Sequence, residues 1–203
     1  MEINNISVLA NLIYEQQQNV PSESIKDMFY IIQILQRKKE NPEITSNSKL
    51  IKEIIIHTPE ELIAKQYEII ELCANFNARA YFWPTPRSYK ATTVTMLESL
   101  ANAFKHEVYH TSRHCFSKAA GQVSSRFNYL SKLWVIDLDY DDPDYFFKET
   151  ELVESGFFIS VLKTPNGLHI LAKPHDLRNV SYSNDVKKNN PTLLYFLDKG
   201  EIE

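Results

Sequence analysis

Phe157-Phe158-Ile159-Ser160-Val161-Leu162-Lys163-Thr164-Pro165-Asn166-Gly167-Leu168-His169-Ile170-Leu171-Ala172 is the stretch whose reading decides the fold. Two runs of β-branched and other apolar residues flank Pro165-Asn166-Gly167, which are turn formers. A connection this short joins only antiparallel neighbours, so Phe157 to Leu162 and Leu168 to Ala172 form a hairpin. Just upstream, Leu133 to Asp139 is the clearest strand of the chain, and Asp144 to Ser155 reads as a helix between it and the hairpin. Thr192 to Leu197 gives a last strand. Further upstream, Phe29 to Leu35 and Ile51 to Ile56 read as a second hairpin with a long polar loop, Lys38 to Lys49. Thr58-Pro59-Glu60-Glu61 supplies an N-cap, a proline at the first helical position and acids in the first turn. The helix that follows is expected to reach about Cys73, with Leu62, Ile63, Ile69, Ile70 and Leu72 on its buried face. Ala78 to Trp83 reads as a strand ended by Pro84 and Pro86. Thr92 to Phe104 reads as an amphipathic helix burying Met96, Leu97, Leu100 and Phe104, and a further helix is expected within Arg113 to Val123. Helices mixed with adjacent hairpins specify an α+β class: a largely antiparallel sheet with helices packed on it.

With four glycines, no repeat and no low-complexity segment, the chain shows no flexible linker. One domain over residues 1–203 is expected. Residues 1–25 form a loosely attached N-terminal arm or helix, residues 26–132 an α/β unit and residues 133–203 a core carrying the chemistry. The composition, 43% hydrophobic and 24% charged, is that of a globular domain that folds without disulfides or a structural metal. Cys73 and Cys115 fit a reducing compartment. No leader pattern opens the sequence, and no stretch reaches the ~18 apolar residues of a membrane span, so a cytoplasmic chain is expected. The net charge of −4 argues against bulk electrostatic coating of nucleic acid. It leaves room for a local basic groove at Arg37-Lys38-Lys39 or among Arg113, Lys118, Arg126 and Lys132, which read equally as solvated charged faces.

Asp137 and Asp139 stand two apart on an apolar strand, so both carboxylates point to one face. Their repulsion is offset by a cation, and hard oxygen ligands suit Mg²⁺ or Mn²⁺. The plainer alternative is a strand end running into the solvated acidic loop Asp141-Asp142-Pro143-Asp144. The hairpin turn at Lys163, Thr164 and Gly167, followed by His169, reads either as a phosphate cradle or as an ordinary turn beside a half-buried histidine. Asp185, just before Lys187-Lys188-Asn189-Asn190, supplies either a third carboxylate or a turn cap.

The order of these features resembles the catalytic core of the archaeo-eukaryotic primase superfamily, the primase-polymerases. Val135-Ile136-Asp137-Leu138-Asp139 looks like the first motif, Gly167-Leu168-His169 the second and Asp185 the third, so the matching motifs span about Leu133 to Thr192. The second motif of that superfamily usually carries a serine two residues before the histidine, where this chain has Gly167. Ser183-Asn184 precede Asp185 where the superfamily has apolar residues, which makes Asp198 the alternative third acid. The zinc module of many relatives has no counterpart, although His110, His114 and Cys115 are metal-capable.

The resemblance implies template-dependent nucleotidyl transfer in DNA replication, with two Mg²⁺ or Mn²⁺ ions held by Asp137, Asp139 and Asp185. It implies nucleoside triphosphates and single-stranded or primed nucleic acid as partners, with a separately encoded helicase or replication protein. His169 and Lys163 would grip the triphosphate, with Thr164 or the backbone at Gly167 replacing the serine, and Arg79, Arg87 and Lys188 as further phosphate or template contacts. Two alternatives stand beside it: a catalytically inactive primase-fold module that binds nucleic acid, and a metal-dependent phosphoesterase or nuclease.

Overall fold

The computed structural model describes residues 1–108, 115–123 and 132–198. In chain order the elements are β1 (Glu2–Asn4), α1 (Ile6–Gln18), α2 (Ser22–Ile25), β2 (Met28–Arg37), β3 (Ser48–Ile56), α3 (Pro59–Ala64) and α4 (Gln66–Phe76). There follow β4 (Ala78–Phe82), β5 (Arg87–Ser88), α5 (Tyr89–Lys105), α6 (Cys115–Val123), β6 (Trp134–Asp139) and α7 (Tyr145–Glu154). The last are β7 (Phe158–Lys163), β8 (Gly167–Ala172), β9 (Val186–Lys188) and β10 (Thr192–Leu197), with a 3-10 turn at Ser183–Asp185 before β9.

The strands form two antiparallel sheets, and the class is α+β as the hairpins imply. The first sheet runs β1-β10-β4-β2-β3, with β5 on β2; the second runs β7-β8-β6-β9. Both expected hairpins are present, β2 with β3 and β7 with β8. After β5 the chain leaves the first sheet, builds the second, and returns as β10 between β1 and β4. Five of six β10 residues are buried, as expected for a continuous apolar run covered on both faces. Residues 133–203 therefore do not stand apart, because β10 completes the sheet begun by the N-terminal half.

Alternation on β6 and β8 divides the second sheet into two faces. Ile136, Leu138, Leu168 and Ile170 pack with Tyr145 and Leu152 of α7 and with Tyr182. Val135 and Leu171, on the other face, join the main core with Ile6, Leu9 and Ile13 of α1 and Ile32, Ile34 and Phe82 of the first sheet. Asp137 and Asp139 continue the inner face beyond Val135, where the packed core ends.

The N-terminal segment, expected as a loosely attached arm, is instead built into this core. Its periodic apolar residues bury Ile6, Leu9, Ala10, Leu12 and Ile13, and β1 pairs with β10. Asn5, itself buried, holds the sheets together: its Nδ2 donates to the Lys163 and Leu193 carbonyls, each at 2.9 Å, and its Oδ1 accepts from Lys163 N–H at 3.1 Å.

Two helices differ from expectation. The helix begun at Thr58 breaks at Lys65 into α3 and α4, so Leu62 and Ile69 both reach the core while Ile63 is exposed. In α5, capped by Ser88, the buried residues are the small side chains Ala91, Thr92 and Thr95. Leu97 and Phe104, expected inside, are 57% and 61% exposed, because they lie off the face through which α5 meets α6, which carries Ser99, Asn102 and Ala103. The expected helix within Arg113 to Val123 is α6 where described; His110, Arg113, His114 and Arg126 lie outside the described residues.

Candidate functional site

Beyond Val135 the space between the sheets opens into a cleft of about 320 Å³. Asp137, Asp139 and His169 project from the second sheet, and Arg37, Arg79 and Tyr81 from the first. Lys187 of β9, the turn Thr164-Pro165-Asn166 and the segment Asn190-Pro191 close its sides.

The cross-strand register explains the acidic wall. Asp137 lies opposite His169 and Asp139 opposite Gly167, so all four share the inner face. His169 Nε2 is 3.2 Å from Asp137 Oδ1, while Nδ1 lies 2.9 Å from Thr192 Oγ and 3.4 Å from Leu193 N. The Leu193 amide can only donate, so Nδ1 is the acceptor and Nε2–H donates to Asp137. The imidazole is thus fixed by β10 and aimed at the carboxylate. That bond holds the Asp137 carboxyl below the usual carboxylate range against desolvation, with the Lys187 charge acting in the same sense. The Asp139 carboxyl is pushed up, first by desolvation and then by the negative charges of Asp137, Asp141 and Asp185, although His169 opposes the shift.

Gly167 makes the acidic wall possible. A Cβ there would lie 1.9 Å from the Leu138 carbonyl oxygen and 2.8 Å from Asp139 Cα. A serine has no room on this backbone, so Gly167 is a close-approach residue.

The basic wall comes from residues distant in sequence. Arg37 Nη1 donates to Tyr81 Oη at 2.9 Å. Arg79 pairs with Glu40 and lies 4.3 Å over the Phe196 ring, which fixes its guanidinium at the cleft edge.

No family model matches this chain, and neither does any curated protein or solved structure.

The cleft thus gathers Asp137, Asp139, His169, Thr164 and Arg79 from the residues singled out in the sequence. It leaves others aside. Lys163 ends β7 with its backbone held by Asn5, outside the cleft lining. Lys188 lies 4.9 Å over the Trp134 ring, and its neighbour Lys187 faces the carboxylates. Arg87 is fully buried, donating to Asn189 Oδ1 at 2.9 Å beside Trp83. Asp185 is ion-paired with Lys148 at 2.9 Å. Asp198 lies in the neighbouring groove with Lys39 and Phe196. Tyr81 and Lys187 were not foreseen as site residues, and Arg37 was foreseen only as part of a basic cluster that read equally as a solvated face. What places Lys187 in the cleft is the cross-strand register that sets it opposite Val135, which no local sequence pattern supplies.

The donor chemistry fits a hard divalent cation. Mg²⁺ is typically held by one or two carboxylates plus phosphate oxygens, and Asp137 and Asp139 are such a pair, carrying a repulsion that a cation relieves. Among the described residues no group of three or more His, Cys, Asp or Glu is arranged to hold a metal ion. No described helix is long and apolar enough to cross a membrane.

Proposed function

We propose that this chain is a template-dependent nucleotidyltransferase of the primase-polymerase type, acting in the cytoplasm with nucleoside triphosphates and single-stranded or primed nucleic acid. The observation carrying this reading is one cleft in which two carboxylates face Arg37, Arg79 and Lys187. Such a cleft matches a ligand that is anionic and also brings a metal, as a metal-bound triphosphate does. Arg37 and Lys187 take the phosphate oxygens, with Arg79 at the edge. His169, held by Thr192 and Leu193, keeps Asp137 in one orientation. Mg²⁺ or Mn²⁺, two ions by the resemblance, would supply activation of the attacking hydroxyl and neutralisation of the pyrophosphate. A separately encoded helicase or replication protein is the partner this reading requires.

Asp137→Ala combined with Asp139→Ala abolishes incorporation of labelled nucleotide on a primed or unprimed single-stranded template. Incorporation persisting in that double variant refutes the assignment.

One observation favours a second reading, a nucleic-acid-binding module without catalysis. Of the four motif side chains, His169 is bonded to Asp137 and Asp185 to Lys148. Calorimetry with Mn²⁺ and a triphosphate separates the two, because the non-catalytic module shows no metal-dependent triphosphate binding.

A further inference from the structure

Resting on the nucleotidyl-transfer reading of the cleft, we infer that its metal centre takes a single divalent cation, and that the Lys148 ammonium occupies the role a second cation would have beside Asp185. Lys148 rises from α7 with its side chain only 13% exposed and places Nζ 2.6 Å from Asp142 Oδ2 and 2.9 Å from Asp185 Oδ2. Both contacts are charge-assisted hydrogen bonds, so the ammonium is shared between two carboxylates. The second oxygen of Asp142 accepts from Asp144 N–H at 2.8 Å, which ties the same cation to the loop that follows Asp139. Asp185 closes the 3-10 turn immediately before β9, one residue beyond the Val186–Ile136 pair, and so lies alongside Asp137.

That position is where the primase-polymerase reading puts a third metal-holding carboxylate, and its negative charge reaches Asp139. A dication binding there would have to take an oxygen already bonded to an ammonium and then sit beside that ammonium, and like charges this close repel strongly. Breaking the Lys148 pairs to relieve the repulsion would leave a largely buried ammonium without partners, which is costly. Asp137 and Asp139 carry no such competitor: the partner of Asp137 is an imidazole, and among the described residues no ion pair or side-chain hydrogen bond engages the Asp139 carboxylate. The clamp also has a positioning role. By fixing the start of β9, it sets which of the two successive lysines faces the cleft, and Lys187 is the one that does.

The test is Mn²⁺ titration of the full chain, with free Mn²⁺ read by electron paramagnetic resonance and no nucleotide present. The wild-type chain takes up about one equivalent. Asp185→Asn leaves both stoichiometry and affinity within about twofold, because Asp185 is not a ligand. Lys148→Met releases Asp185 and gains a second equivalent, and Asp185→Asn in that background removes the gain; a purely structural lysine would not produce added binding when lost. Two equivalents on the wild type, with one lost in Asp185→Asn, overturn the single-ion centre and leave nucleotidyl transfer standing. One equivalent with no incorporation on any template does the reverse. No Mn²⁺ uptake by the wild type, either alone or with a non-hydrolysable triphosphate added, overturns both. Should Lys148→Met fail to fold, judged by its thermal melt, the wild-type and Asp185→Asn titrations decide the matter alone.

Discussion

Gly167 shows how a single missing side chain sets the site. Its Cα lies where β8 crosses Asp139, and any Cβ would strike the Leu138 carbonyl. Backbone cannot swing aside as a flexible side chain would, so Gly167→Ala separates the two strands at the carboxylates. The expected cost is about 2–3 kcal/mol in urea unfolding, the upper part of the overpacking range, with incorporation lost as well. Unchanged stability in that variant would mean that the strands do not approach so closely. Cys73 gives a second residue-level expectation. Burial pushes its thiol up from 9.0 to about 12. A folded-state value above the unfolded one favours the native state at lower pH. That contribution is complete below the unfolded value and is lost as pH rises through about 9 to 12. Native chain at pH 8 therefore leaves Cys73 unalkylated by iodoacetamide, and urea at the unfolding midpoint exposes it; rapid native labelling of the Cys73 peptide would contradict this.

At the scale of elements, the hairpins and β6 were legible because period-two patterning and turn chemistry are local. β7, β8 and β10 fall within one residue of their sequence expectation. The integration of α1 was not legible, since the segment read as a loosely attached helix or arm, and what it packs against, together with the contacts of Asn5 just before it, lies far along the chain. Asn5 satisfies three backbone groups on β7 and β10 at once. Asn5→Ala removes the side-chain partner of the buried Leu193 carbonyl and of the part-buried Lys163 carbonyl and amide, an expected loss of about 2–3 kcal/mol. Because Thr192 and Leu193 hold His169, the same variant should loosen the imidazole, and comparing incorporation with urea stability measures the coupling. Stability within about 0.5 kcal/mol of wild type would show that β7 and β10 are held by packing alone.

The whole molecule assembles a site that no local pattern reveals. The carboxylates come from the second sheet and the arginines from strands of the first laid down about 60 to 100 residues earlier, so only the return of β10 brings the walls face to face. For the same reason Lys188 was the candidate contact, while Lys187 is the lysine that lines the cleft. The 3-10 turn at Ser183–Asp185 resets the alternation, and its effect on strand parity is set by tertiary contacts rather than by sequence. Under the proposed function, this arrangement sets how a single strand would bind. A net charge of −4 opposes diffuse attraction, which leaves the cleft cations Arg37, Arg79 and Lys187 as the phosphate contacts. Each contact on a single strand contributes about −0.7 to the slope of log affinity against log salt, so a slope near −2 is expected. Glu40 compensates Arg79, which makes the slope shallower rather than steeper. Fluorescence anisotropy of a labelled oligothymidylate across a salt series reads it directly. Replacing Arg37 by Ala should flatten the slope by about one contact, whereas a wild-type slope steeper than about −5 would place binding on a broad basic face elsewhere and remove the cleft as the nucleic-acid site.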